Sequence, residues 1–374
     1  MPATTLYFNP VVDGNWSSLG NWFTDLAGTI PYGGTDTPWT VDDLTKGYDL
    51  DLATGGTPPT IDTAVTIGNG FTITGTCLMS INYNNTTIYG GTYSANVGNS
   101  GTISGGTFSF PNMILGASIT GGTFTGNGQN AQYGSCTISG GTFSGTGFIV
   151  DGGTIINDGH FTGSGFVCGN TGTIYGGIFD GDVTSSTFSA SFVIYGGTFN
   201  STVNIQSIIV GGTFNYGVTT NNDIGGGEIF GTYNTSFNNI GYGIFHGDVN
   251  FNSMGMIQGG IFYGTVYGYA VYAGGTYYGT VYDNFDINNY SGAFYGDVII
   301  SFGNTITFGY FYNGTVTNYS GGSINGGIFY GKLDNQGTLS NGASLGNLKA
   351  FRYFDSPFFT IGKGINGSGI LGII

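Results

Sequence analysis

The sequence predicts an all-β chain wound as a single-stack parallel β-solenoid (β-helix), with about 15 rungs of about 17 residues. The first observation behind this is a repeat. Ile138-Ser139-Gly140-Gly141-Thr142-Phe143-Ser144-Gly145 returns in close copies at Ile103–Phe108, Ile119–Gly126, Ile174–Gly181, Ile194–Phe199, Ile209–Phe214, Ile257–Gly264 and Ile324–Gly331. Anchored on the second glycine, the series runs 91, 106, 122, 141, 159, 177, 197, 212, 227, 243, 260, 275, 292, 309, 327, in steps of 15 to 20 residues. A period sustained in this range marks stacked units that each contact only their neighbours. The second observation is composition: 75 Gly, 30 Phe and 26 Tyr with only 7% charged residues. That is the opposite of a disordered chain, and without a three-residue period or abundant Pro it is not collagen. The third is what is missing. Gly recurs every few residues among β-branched and aromatic side chains, and no apolar 3.6-residue pattern appears, so helix is not expected.

Residues 1–62 do not repeat and are assigned to an aromatic, Pro-rich N-terminal cap. They hold Trp16, Trp22 and Trp39 and eight Asp. Such side chains can plug the open end of a solenoid, whose first rung would otherwise expose apolar groups and unpaired backbone. A Trp-rich binding domain is the alternative. Gly14-Asn15-Trp16-Ser17-Ser18-Leu19-Gly20-Asn21-Trp22, followed by Thr57-Pro58-Pro59-Thr60-Ile61-Asp62-Thr63-Ala64-Val65-Thr66-Ile67, resembles the opening region of large repetitive β-solenoid surface proteins. Autotransporter-like adhesin passengers and phage tail-fibre-like proteins share such a lead into their first rung. The resemblance covers about 60 residues and implies architecture, not ligand.

Residues 63–334 are the solenoid proper. Relative to the second glycine, offset −3 is Ile in most rungs, and offset +2 is Phe or Tyr in fourteen of fifteen, Ile229 being the exception. Offset +4 is often Gly, and offset +6 is Val or Leu at Val183, Val203, Val218, Val249, Val266, Val281, Val298 and Leu333. Offsets +2, +4 and +6 share one strand face, so Phe and Val point inward with Gly between them. The Gly-Gly pair supplies a bend, where positive φ or close backbone approach is needed. Two or three short strands per turn are expected, stacked at ~4.8 Å into a rod roughly 70 Å long. The missing hexapeptide pattern and variable turns favour right-handed winding. Residues 335–374 break the repeat and form an apolar C-terminal cap or an oligomerisation and attachment segment. There Lys349, Arg352, Phe358 and Phe359 could contact the acidic part of another chain.

Charge excludes several functions. The net charge is −15, and no Lys or Arg lies between Gly47 and Gly331. A body without cations cannot neutralise phosphates, so no nucleic acid is expected as a partner, and attraction to anionic lipid fails for the same reason. No apolar run approaches the ~20 residues that span a bilayer, so membrane insertion is not expected. Cys77, Cys136 and Cys168 form no CxxC pair and read as small buried residues. The N-terminus lacks the basic and apolar regions of a Sec signal peptide. An extracellular surface or virion location therefore implies another export route, or release by lysis.

Offset +3 carries the most information. It holds Ser109, Thr125, Ser144 and Thr162, then Asp180, Asn200 and Asn215, and then Phe230, His246, Tyr263, Tyr278, Tyr295, Tyr312 and Tyr330. Seven consecutive aromatic rings on an outward position can stack as a ladder, each pair contributing on the order of 1 kcal/mol. They can equally serve as a strip for sugar rings or as a face for lateral packing. His160 and His246 would lie roughly 25 Å apart, which excludes a shared catalytic or metal site. Asp180 and Asp182 meet the spacing of about 5–10 Å that a glycosidase needs. Asp182, Asp248 and Asp297 share one offset several rungs apart, and Asp283 and Asp286 follow a rung; all read as turn residues. The threonines at +1 drift to Ile too often for an ice-binding array. No catalytic residue, metal site or cofactor is therefore expected, beyond weak Ca²⁺ binding by surface Asp. The function expected is a structural fibre that self-associates. The alternative is a carbohydrate-binding module with cell-surface glycans as partner, and a polysaccharide-active enzyme comes third.

Overall fold

The computed structural model describes residues 102–109, 118–126, 136–150, 152–169, 171–185, 191–236, 239–283, 287–301 and 303–339. Shorter described segments are 4–8, 21–24, 30–31, 33, 48–51 and 350–353, with isolated strands between 65 and 131. The chain is all-β, with parallel strands stacked as a β-solenoid and no α-helix among the described residues. About 12 turns are seen, slightly fewer than the fifteen copies. For the copies at Gly91, Gly106 and Gly122, at least one face lies outside the residues whose side chains are described. Two compact units are formed, Met1–Asn200 and Ser201–Ile374.

Each turn contributes three short strands, and each strand adds to one of three parallel ladders. In the first unit the −3 column runs Ile103↔Ile119↔Ile138↔Ile156↔Ile174↔Ile194 in register, with every side chain buried. The +2 column runs Phe108↔Phe124↔Phe143↔Phe161↔Phe179↔Phe199. Its rings stack at 4.6–4.8 Å, tilted by no more than 10°. Parallel in-register pairing places identical side chains one strand spacing apart, which is what lets the rings stack. The third face holds Ile149–Val150, Phe166–Cys168 and Val183–Ser185. Cys136 and Cys168 are buried thiols, and burial pushes the Cys168 thiol up; Cys77 lies outside the residues whose side chains are described.

In the second unit the +2 column continues as Phe245↔Phe262↔Tyr277↔Phe294↔Phe311↔Phe329, stacked at 4.6–4.9 Å. Tyr277 replaces Phe without losing its polar group, because its hydroxyl donates to the Gly274 carbonyl at 2.7 Å. The third ladder reads Val218↔Tyr233↔Val249↔Val266↔Val281↔Val298↔Val316↔Leu333.

The Gly-Gly pair meets both of its possible needs, one per residue. Gly141 adopts φ 102°, a conformation L side chains rarely take. A Cβ on Gly140 would sit 2.6 Å from the Thr120 carbonyl oxygen of the preceding turn.

Near the N-terminus, Tyr48–Asp51 pairs in parallel with Thr72–Thr74 and with Thr4–Phe8. Trp22–Phe23 then runs antiparallel to Thr4–Phe8, and Trp22 is fully buried. Reversing the strand direction ends a parallel ladder, which suits an edge. Trp16 and Trp39 lie outside the described residues, as do Lys349, Phe358 and Phe359. Arg352 lies in Ala350–Tyr353, in register with Asp334 of Lys332–Asn335.

Candidate interaction face

The seven residues at offset +3 form one unbroken ladder in the second unit. Each follows the last residue of a +2 strand, and its amide still pairs with the turn before. Tyr263 N–H donates to Phe245 O at 2.8 Å, Tyr278 to Phe262 at 2.7 Å, and Tyr312 to Phe294 at 2.8 Å. His246, Tyr295 and Tyr330 follow the same rule with Ile229, Tyr277 and Phe311. With the backbone in register, the rings stack: Phe230–His246 at 4.4 Å, His246–Tyr263 at 5.2 Å, Tyr263–Tyr278 and Tyr278–Tyr295 at 5.1 Å. Tyr295–Tyr312 at 4.7 Å and Tyr312–Tyr330 at 5.5 Å complete the series. All interplanar angles are 17° or less.

Phe230, Tyr263 and Tyr278 are exposed by 44%, 49% and 47%, whereas Tyr295, Tyr312 and Tyr330 are half-buried. Desolvation, then the phenols of Tyr295, Tyr330 and Tyr310, push the Tyr312 hydroxyl above the ordinary tyrosine range. At the other end His246 Nε2 lies 2.9 Å from Glu228 Oε1. Because each inner ring lies between two others, its faces are turned to neighbours. Solvent meets ring edges and hydroxyl groups.

A second column lies beside the ladder at offset +1, in register from Ile244 through Ile261, Thr276, Ala293 and Tyr310 to Ile328. All six are partly exposed. Between Ile244 and Tyr330 the two outward columns contain no Asp, Glu, Lys or Arg. The +4 residues beyond the ladder are Gly231, Gly247, Gly264, Gly279, Gly296 and Gly331, with Asn313 in the Tyr312 turn. A Cβ on Gly264 would meet Gly247 O at 2.2 Å, and one on Gly279 would meet Gly264 O at 2.0 Å. These glycines are obligatory because consecutive turns touch there backbone to backbone.

The acidic residues have other occupations. Asp180 accepts from Asn200 Nδ2 at 2.8 Å and pairs with His160 Nε2 at 2.6 Å, one contact on each oxygen. The Asn200 and His160 hydrogen bonds hold its carboxyl below the usual range. Asp248 and Asp297 each clamp the following turn, accepting from Thr265 N at 2.8 Å and Thr315 N at 2.7 Å. Asp182 has a partner of its own. Asp283 is not a turn residue but ends the strand Val281–Asp283, in register with Gly268 and Ile300; its side chain and Asp286 lie outside the described residues. Among the described residues, no three His, Cys, Asp or Glu side chains converge as metal ligands.

Some paired columns escape the motif because they fall outside its eight residues. Asn318 Nδ2 donates to Asn335 Oδ1 at 2.6 Å inside the core, and Asn250 Nδ2 donates to Asn234 Oδ1 at 2.9 Å outside it. Tyr267 stacks on Tyr282 at 5.0 Å, also outside it, whereas the Tyr175–Tyr195 stack at 5.1 Å lies within the motif at offset −2. Their signal is recurrence one period apart. No family model, curated protein or solved structure matches the chain.

Proposed function

We propose that this chain is a structural β-solenoid that packs against a second copy through the face from Ile244 to Tyr330, building a fibre on an extracellular surface or virion. The observation that carries this is the two-column face without a charged side chain, on a chain whose net charge is −15. Charge-depleted, aromatic-rich strips of this kind characterise interface cores. Six turns at ~4.8 Å give a strip roughly 30 Å long, less than a stable pair buries by itself, so assembly depends on concentration. The opening-region resemblance to adhesin passengers and tail fibres supports the location.

A glycan partner is the weaker reading. Sugars stack on aromatic faces, and here the inner faces are turned toward neighbouring rings. Turnover chemistry is weaker still, since Asp180 is held ionised by its own hydrogen bonds.

Sedimentation and electron microscopy across a concentration series test the proposal. Wild type should form dimers or filaments as concentration rises, and the double variant Ile261→Lys, Tyr278→Lys should remain monomeric while keeping its circular dichroism. Wild type that stays monomeric at high concentration refutes it, as does a variant that assembles equally well.

A further inference from the structure

The ring ladder has a property that pairing of copies does not use. From Tyr263 to Tyr330, five phenols follow one another at 4.7–5.5 Å, a row roughly 20 Å long. Their edges and hydroxyls face outward along the solenoid axis. On one side the row is bordered by the +4 glycines, of which Gly264, Gly279 and Gly296 are partly exposed and offer only backbone. From Gly264 to Gly296 no side chain projects from that track, and beyond it the exposed Asn313 takes the +4 position of the Tyr312 turn.

The charges around the row are acidic except at its far end, where Lys332 holds the +5 position of the Tyr330 turn. Glu228, paired with His246, lies two turns before its start, and Asp248 and Asp297 lie just beyond the glycine track at +5. The segment from Gly47 to Gly331 contains no Lys or Arg. An acidic field of this kind draws in cations and repels anions. Phenol oxygens on the ring rims add further negative density, and the row of ring edges between them gives a flat cation apolar contact along its length.

We propose that the Tyr263–Tyr330 row binds flat, elongated aromatic cations, which lie lengthwise across several ring edges. The site needs ring edges and length, which the ladder has. It does not need ring faces, which the ladder hides. The occupant must be rigid, because a flexible chain loses conformational freedom along five turns. It must also be cationic, because the +5 positions from Asp248 to Gly314 carry only Asp, Thr or Gly, and Lys332 stands at the Tyr330 end alone. The Tyr175–Tyr195 stack serves as an internal contrast, since it is a single ring pair at 5.1 Å.

The probe is thioflavin T, a planar benzothiazolium cation, titrated by fluorescence into the full chain. The concentration used is one at which sedimentation shows monomer, so the outcome is independent of self-association. The expected result is saturable enhancement with a small whole-number stoichiometry, weakened by added salt. Tyr278→Ser with Tyr295→Ser should weaken binding at least tenfold, and Tyr175→Ser with Tyr195→Ser should leave it unchanged. An anionic flat dye should show no saturable binding. Three results would overturn the proposal: no saturation by thioflavin T; equal binding by a Tyr278/Tyr295 variant whose circular dichroism matches wild type; or dye signal only in material that sediments as assemblies. Should the Tyr278→Ser, Tyr295→Ser variant unfold, the conservative pair Tyr278→Leu, Tyr295→Leu gives the same reading, because it keeps apolar bulk but removes the ring edges and hydroxyls.

Discussion

Replacing Gly264 by Ala tests the scaffold where the usual rule gives the opposite sign. Exchanging Gly for Ala at ordinary φ normally stabilises by about 0.4–1 kcal/mol, because the unfolded chain loses freedom. Gly264 has no positive φ, so backbone strain does not oppose the change. Space does. Its Cβ would lie 2.2 Å from Gly247 O and 2.4 Å from Gly247 C, whereas real Cβ contacts essentially never fall below 3.0 Å. The turn must therefore move by about 0.8 Å. Both flanks resist: Tyr263 N–H is bonded to Phe245 O at 2.8 Å, and Val266 N–H to Thr280 O at 2.9 Å. Overpacking of this kind costs about 1–3 kcal/mol, and loss of one flanking amide bond adds about 1 kcal/mol. The net expectation is a loss of about 2–4 kcal/mol, despite the unfolded-state gain. Urea denaturation measures it, and amide exchange should show lost protection at Tyr263 and Tyr278 first, since damage in a solenoid passes between neighbours. Gly225→Ala is the control. Its nearest atom is Val210 Cα at 3.6 Å, so it should be neutral or slightly stabilising. If Gly264→Ala unfolds at the same urea concentration as Gly225→Ala, the backbone-contact argument is refuted.

Three further outcomes follow from the same geometry. Phe262→Ala should cost about 3–5 kcal/mol and Tyr263→Ala about 1 kcal/mol or less, because one ring is buried and its neighbour in sequence is half-exposed; equal losses in urea melts would refute the inward–outward assignment. Asn335→Ala should cost about 1–3 kcal/mol by stranding the buried Asn318 amide, and a double-mutant cycle with Asn318→Ala should be non-additive by more than about 0.5 kcal/mol. The Asp180 carboxyl titrates below its unfolded value, so its stabilising effect is present at neutral pH and is lost as pH falls through the lowered folded value. Asn200→Ala should move the NMR titration midpoint of Asp180 up toward the ordinary range, and an unmoved midpoint would count against the Asn200 hydrogen bond as the main cause.

Most of the scaffold was legible because each of its requirements repeats. Ile at −3 and Phe at +2 recur at a fixed separation, so their in-register columns could be read directly. Ile229 stands alone among the +2 residues and is still buried in the same column, which shows that the position demands an apolar side chain, not a ring. The division of labour within Gly-Gly was not legible. Close approach and positive φ both call for glycine, and only coordinates separate Gly140 from Gly141. The ring ladder was visible as a column, but whether its faces or its edges meet solvent depends on ring tilt, which the sequence does not encode. The Asn318–Asn335 pair was missed because Asn reads as a turn residue, and only one-period recurrence marks it as a ladder. Asp248 and Asp297 lie between strands as expected, whereas Asp283 ends the strand Val281–Asp283; the clamping of the next turn's amide by Asp248 and Asp297 depends on a contact between rungs.

These constraints also explain why surface chemistry varies at only a few offsets. The −3, +2 and +6 columns are filled by the core, and both Gly-Gly positions and +4 are held by backbone contact or φ. Of the motif, the outward −2, +1 and +3 columns are free to change, and the two units use that freedom differently at +1 and +3. In the first unit, His160, Asp180 and Asn200 link successive turns through hydrogen bonds at 2.6 and 2.8 Å, satisfying one another and staying hydrated. In the second unit one such pair remains, Glu228 with His246 at 2.9 Å, and from Tyr263 to Tyr330 the same two offsets become Ile, Thr, Ala and Tyr, with rings satisfied by stacking. A polar ladder loses little by facing water, whereas an aliphatic and aromatic face gains by being covered, at roughly 25 cal/mol per Å² removed from solvent. Since neither choice is needed to hold the rungs together, the change from one to the other is a change in what the surface meets. The second unit is therefore where a partner should be sought.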